Sequence, residues 1–162
     1  RPDSGPTRFW HELCHNSAIQ DRREIEMKVE NQVRPSPENL QRFLSGRQEP
    51  VVMVNLLKFR ERAVYADGRE TDLSGMEAYQ LYAGEMRKRV EAAGGRFLFG
   101  GAVEGLLLGR VEELWDMVGL VEYPSPQTLF AIASSPDFAE IEAHREAGLA
   151  GQLNIAVREG QP

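Results

Sequence analysis

The chain has 162 residues, 41% of them hydrophobic and 27% charged, with a net charge of −6 at neutral pH. That is enough for one globular domain plus an extension. The acidic balance argues against a nucleic-acid or anionic-membrane partner, because both need a basic footprint. Arg87-Lys88-Arg89 is a local basic cluster, but acids interleave with it and it reads as a solvated helix face. The single cysteine, Cys14, excludes an intrachain disulfide and fits a reducing, cytoplasmic compartment. No apolar run approaches the ~20 residues of a membrane span, and the N-terminal stretch has no signal-peptide core.

Residues 1–35 are expected to be an N-terminal extension, poorly ordered or in contact with a partner. They are polar and weakly periodic, and Met27 reads as a native start. His11-x-x-Cys14-His15 in this stretch looks metal-like, but a stable site needs three or four ligands in a defined geometry. No metal and no cofactor are expected. Residues 36–49 form a short helix and linker. Ser36-Pro37 is a cap followed by proline in the first turn, Leu40, Phe43 and Leu44 make one face, and Gly46 ends it.

The main domain is expected over residues 50–158, with 159–162 as a tail. Val51 to Phe59 reads as its first strand, interrupted by one amide, Asn55. Residues 61–73 are a polar connection in which Asp67-Gly68 turns the chain, with room for a small hairpin. Ser74 and Glu77 form a capping box. The helix it opens repeats apolar residues at Met76, Tyr79, Ala83, Met86, Val90 and Ala93, one continuous face. Arg96 to Leu108 reads as a long strand with irregularity at its glycines. Trp115 to Tyr123 is the third strand. Ser125-Pro126 and Ser135-Pro136 open two further helices. The second carries Phe138, Ile141 and Arg145 on one face. Gln152 to Val157 is the last strand.

This order is the split βαβ pattern of a ferredoxin-like α+β sandwich, with an antiparallel sheet in the order 4-1-3-2. Helices cover one face. The first and third strands are apolar on both parities, so the second face needs a cover too. A second copy of the chain supplies it, which predicts a homodimer closed into an α+β barrel.

The segments "MVNLLKF", "AGGRFLFGG", "WDMVGLVEYPS", "SPDF" and "HREAGL" resemble the family known as domain of unknown function 1330, over about residues 50–157. The resemblance implies the ferredoxin-like fold, a dimer, and a cleft between sheet and helices. It implies no activity, since fold-mates range from cofactor-free monooxygenases to binding modules.

Glu122 is the candidate proton shuttle. It follows an apolar run, and burial would raise its pKa and suit it to acid–base work. The structural reading is an ion pair with Arg96 or Arg145. Asn55 is the candidate donor to a substrate carbonyl; a backbone or Glu122-type partner is the alternative, and strand parity between the two is open. Tyr79 joins them as a catalytic candidate, with a core aromatic as its other reading. Arg96, Tyr82, Asp116 and Arg145 make the candidate substrate-binding set. Arg96 suits a carboxylate, whereas Asp116 also suits a turn. His144 lies off the core face of its helix and is expected in solvent. The expected ligand is a small apolar or aromatic carbonyl-type metabolite. The other reading is a binding or accessory protein with a structural polar cluster.

Overall fold

The structure is a computed structural model, and it describes residues 28–160. The expected metal-like group at His11, Cys14 and His15 and most of the extension lie outside these residues. The elements run α1 (Pro37–Ser45), β1 (Val51–Phe59), α2 (Gly75–Ala92), β2 (Arg96–Ala102), β3 (Met117–Tyr123), α3 (Pro126–Ala133), α4 (Phe138–Gly148) and β4 (Leu149–Val157). The four strands form one antiparallel sheet in the order β2-β3-β1-β4, the expected ferredoxin-like arrangement.

Local signals place the helix starts. Ser36 Oγ accepts from the Asn39 amide, and Ser125 Oγ accepts from the Thr128 amide. At α2 the capping box closes in both directions between Ser74 and Glu77. These hydrogen bonds satisfy donors that every helix leaves open at its first turn. Ser135-Pro136 behaves differently from the expected cap. Ser135 Oγ donates back to the Ile132 carbonyl and accepts from Arg89, so α4 starts later, at Phe138.

Register sorts the side chains. On β1, Val51, Met53, Asn55 and Leu57 pair with Tyr123, Val121, Gly119 and Met117 of β3. This set faces the helices, where Met53, Val121 and Tyr123 join Met86, Val90, Ile132 and Phe138 in the main core. Each fully buried side chain of this kind contributes roughly 1.5–3 kcal/mol. The helical face of α2 is as expected apart from Met76, which is exposed; Ala78 is buried in its place. A smaller cluster of Ala63, Tyr65, Ala78 and Ala147 lies under the 61–73 connection. That connection is held by the Ala63 to Leu73 hydrogen bond and a turn at Gly68, without strand ladders.

Three expected boundaries shift: β3 begins at Met117 rather than Trp115, β4 begins at Leu149 rather than Gln152, and β2 ends early. β2 ends at Ala102 rather than Leu108, and its register slips between Phe97 and Phe99 rather than at the glycines. The three leucines that follow, Leu106 to Leu108, are exposed in the loop. Where α2 meets α4 the backbones touch: a Cβ on Gly148 would lie 2.3 Å from the Gly75 carbonyl oxygen. At residues 31–34 the extension is fastened to the domain. The Gln32 amide donates to the Gln152 carbonyl, Trp115 Nε1 donates to Asn31 Oδ1, and Arg34 makes a two-point ion pair with Glu146.

Candidate functional site

Asn55 meets its partners inside the fold. Its Nδ2 donates to the carbonyls of Met53 (3.2 Å) and Gly119 (3.3 Å), and its Oδ1 accepts from Gln152 Nε2 at 2.9 Å. Both amide hydrogens are committed, so the expected donor to a substrate carbonyl is a structural link instead. The residue pairs with Asn154 across β4, but the side-chain bond runs to Gln152, one pair further along the same face.

The chain of contacts continues outward. Gln152 Oε1 accepts from Arg145 Nη1 at 3.1 Å, and Arg145 Nη2 donates to Glu142 Oε1 at 3.1 Å. The Arg145 side chain is 12% exposed, and its guanidinium stands 5.9 Å from the centre of the Tyr82 ring. Asn55, Gln152, Arg145 and Glu142 therefore form one connected network across β1, β4 and α4. A connected network of this kind fixes each member's orientation.

The network borders a cavity of about 750 Å³ between the helix face of the sheet and the helices. Met53 and Met86 line its inner part, with Tyr79, Tyr82, Tyr123 and Phe138 around them. Leu40, Phe43 and Leu44 of α1 close it from outside. The apolar face of α1 thus meets this space rather than a solid core, and no residue of α1 is buried. Its C-terminal end is tied down by Gln127 Nε2 on the Leu44 carbonyl and by Arg158 Nη2 on the Arg47 carbonyl. The size and the mix of apolar wall with a few fixed polar groups are those of a small-molecule site.

Burial pushes the hydroxyls of Tyr79 and Tyr123 well above the ordinary phenol range and raises that of Tyr82, with Arg145 opposing the shift at Tyr79 and Tyr82. All three are neutral at physiological pH. None has a hydrogen-bond partner among the described residues, and all three residues line the cavity. They are available as donors and acceptors, not as bases.

Glu122 and Arg96 lie elsewhere. Glu122 pairs with Val52 of β1 and Arg96 of β2, on the face away from the helices. Its carboxylate accepts from Arg96 Nε at 2.9 Å and from Nη2 at 3.1 Å. With no slip along the β1–β3 ladder, Asn55 and Glu122 are three residues apart in register and so face opposite ways. The ion-pair alternative describes Glu122, and Arg96 is its partner rather than a free carboxylate clamp. Asp116 has the turn role: it accepts from the Phe59 amide (2.7 Å) and from Lys58 Nζ (3.1 Å), pinning the start of β3 to the end of β1. His144 is half-buried, not solvated; Tyr65 Oη and His144 Nδ1 are hydrogen-bonded at 2.6 Å because the 61–73 connection folds back over α4.

Of the residues singled out in the sequence, the structure brings together Asn55, Tyr79, Tyr82 and Arg145. It separates Glu122, Arg96 and Asp116 from them. Gln152, Glu142, Tyr123, Met53 and Met86 were not singled out as site residues. Glu142 had a signal, sitting one helical turn before Arg145 on the same face. Gln152 had a weaker one, as a second amide inside a strand.

Fold and cavity together define a ferredoxin-like α+β protein with a cavity between sheet and helices. The chain belongs to the family described as "Domain of unknown function (DUF1330)", whose model matches residues 64–159, more than half of its length. That match begins after β1, later than the resemblance read from the sequence. Among solved structures, the chain is similar to the RPA0582 protein of Rhodopseudomonas palustris, described as a protein of unknown function. The identity to that structure is 30%, covering 82% of this chain and 100% of that one, with a TM-score of 0.72. The methylated RPA0582 protein gives 33% identity over 82% and 97%, with a TM-score of 0.73. No curated protein matches.

Among the described residues, no helix is long and apolar enough to cross a membrane, and no group of three or more His, Cys, Asp or Glu is placed to hold a metal ion.

Proposed function

We propose that this protein is a homodimeric small-molecule-binding protein whose ligand occupies the cavity between the sheet and the helices. The observation that carries this reading is the wall itself. Three tyrosine hydroxyls with no hydrogen-bond partner among the described residues and an oriented arginine converge on apolar space. A ligand with an oxygen function can bond to them. The ligand is small and apolar or aromatic, with an oxygen function for the polar wall. The acid–base role once expected of Glu122 has no place here, because that carboxylate faces the other way. Binding therefore accounts for the site better than a carboxylate-driven reaction does.

The opposite face supports the dimer. Val52, Val54 and Leu56 lie there with Val118, Leu120, Leu153, Ile155 and Val157. Ile155 and Val157 are both more than 40% exposed in the single chain. A continuous apolar sheet face of this kind calls for a partner, and a second copy closes it symmetrically. The acidic net charge and the single cysteine fit a cytoplasmic protein without nucleic-acid or membrane partners.

Saturation-transfer NMR with phenylbutanone, a neutral aromatic ketone, tests the cavity. Transfer to the ligand is expected with the natural protein. It should be lost in Asn154→Trp, an exposed lining position that fills the mouth without disturbing the core. Equal transfer in both proteins would place binding outside this cavity.

A further inference from the structure

The walls of the cavity are unequal in hydrogen-bonding capacity. A guanidinium has five N–H groups. Arg145 gives one to Gln152 and one to Glu142, leaving three without a partner among the described residues. Arg158, also in the lining, directly follows the last residue of β4. Its Nη1 is buried and has no acceptor, and no carboxylate pairs with it among the described residues. On the acceptor side, Asn55 and Gln152 are occupied by each other and by Arg145. Glu142 has one oxygen on Arg145. Glu30 also lines the cavity but is exposed to solvent, so among the less exposed groups the surplus is in cationic donors, in a space with apolar walls.

Cationic donors in surplus call for a group that only accepts and carries negative charge. A carboxylate does both, and its two oxygens match the guanidinium fork. We propose that the cavity takes an amphipathic carboxylic acid, with its carboxylate at Arg145 beside Tyr82 and its apolar or aromatic tail over Met53 and Met86. This assignment rests on the reading of the cavity as the ligand site. It goes further by fixing the charge of the ligand and naming Arg145 as its anchor. The network through Gln152 to Asn55 gives the amide inside β1 a purpose at the site: it positions Gln152, which positions Arg145. Asn55 is thus a positioning residue that does not touch the ligand.

The test compares ligands with the same tail. Titration calorimetry at neutral pH with phenylbutyrate and phenylbutanol should show the acid binding tighter by about tenfold or more, the range of a charge-assisted bond. Arg145→Gln should erase that preference and leave phenylbutanol within about twofold, since the neutral alcohol makes no ionic contact with the guanidinium. Arg145→Lys keeps the charge without the planar fork and should fall between the two. Should Arg145→Gln fail to fold, Arg145→Lys and the acid-to-alcohol ratio of the natural protein still decide. Equal affinity for acid and alcohol, both blocked by Asn154→Trp, overturns the carboxylate assignment and leaves the cavity standing. Failure of both ligands and of phenylbutanone to bind overturns the cavity reading itself.

Discussion

The two faces of the sheet use the same four strands and carry different chemistry. Toward the helices, β1 presents Val51, Met53, Asn55 and Leu57, and the amide opens a polar network in an otherwise apolar core. Toward the other side it presents Val52, Val54 and Leu56, with the Arg96–Glu122 pair toward one end and Lys58 with Asp116 at the other. A buried polar network is retained only where every member is satisfied or where it serves a ligand. A flat apolar face is retained where something covers it. On the proposed reading one side binds and the other self-associates, although both parities are apolar in the sequence.

The comparison is broken most severely from the open side. Val54→Asp or Leu120→Asp sets an unpaired charge in the proposed interface, which costs about 3–5 kcal/mol. Sedimentation should show a folded monomer with unchanged circular dichroism. Dimers that persist unaffected would remove that face from the interface.

On the helix side, Gly148→Ala forces a methyl against the Gly75 carbonyl where α2 and α4 touch. Overpacking of this kind costs about 1–3 kcal/mol, and backbone contact puts it at the upper end. Urea unfolding at fixed protein concentration reads it.

Asn55→Ala strips Gln152 and two backbone carbonyls of a partner. A loss of about 1–3 kcal/mol is expected, together with weaker binding of phenylbutyrate than of phenylbutanol relative to the natural protein. A stability loss with no change in that ratio would leave the network structural only.

Alkali sharpens the same face. Tyr79, Tyr82 and Tyr123 hold their protons in the folded state above the ordinary value of about 10 at which the unfolded chain ionises. Above that pH the folded state binds more protons than the unfolded one. Stability therefore falls as pH rises, by up to about 1.4 kcal/mol per pH unit for each tyrosine. Their phenolate absorbance should appear only with unfolding. Ionisation of two or more of the four tyrosines in the intact fold near pH 10 would contradict their burial.

The smallest effect is expected at Glu122→Gln. Its partner Arg96 is 68% exposed, and pairs of this kind contribute about 0–1 kcal/mol. Ligand binding should be unchanged.

The sequence made the architecture legible because its signals are local. Ser74 and Glu77, Ser125-Pro126 and the repeat from Tyr79 to Val90 each act within a few residues, and the strand order follows from their succession. The site was legible only in part. Arg145, Tyr79 and Tyr82 sit on helical faces whose direction the periodicity fixes. Glu122 sits in a strand apolar on both parities, so "MVGLV" could not tell which side its side chain takes. Register decides that, and register is a long-range property. Gln152 escaped for a related reason: its contact with Asn55 depends on how β4 aligns beside β1, which no short segment encodes. Ser135-Pro136 shows the reverse error, a sound local signal overridden by a tertiary contact from Arg89.

The division of the sheet into a binding face and an associating face is tested most directly by methyl NMR with phenylbutyrate. Met53 and Met86, both about 5% exposed or less and facing the cavity, should shift on titration, while the methyls of Val54 and Leu120 stay in place. Shifts confined to Val54 and Leu120, with Met53 and Met86 unmoved, would contradict the account.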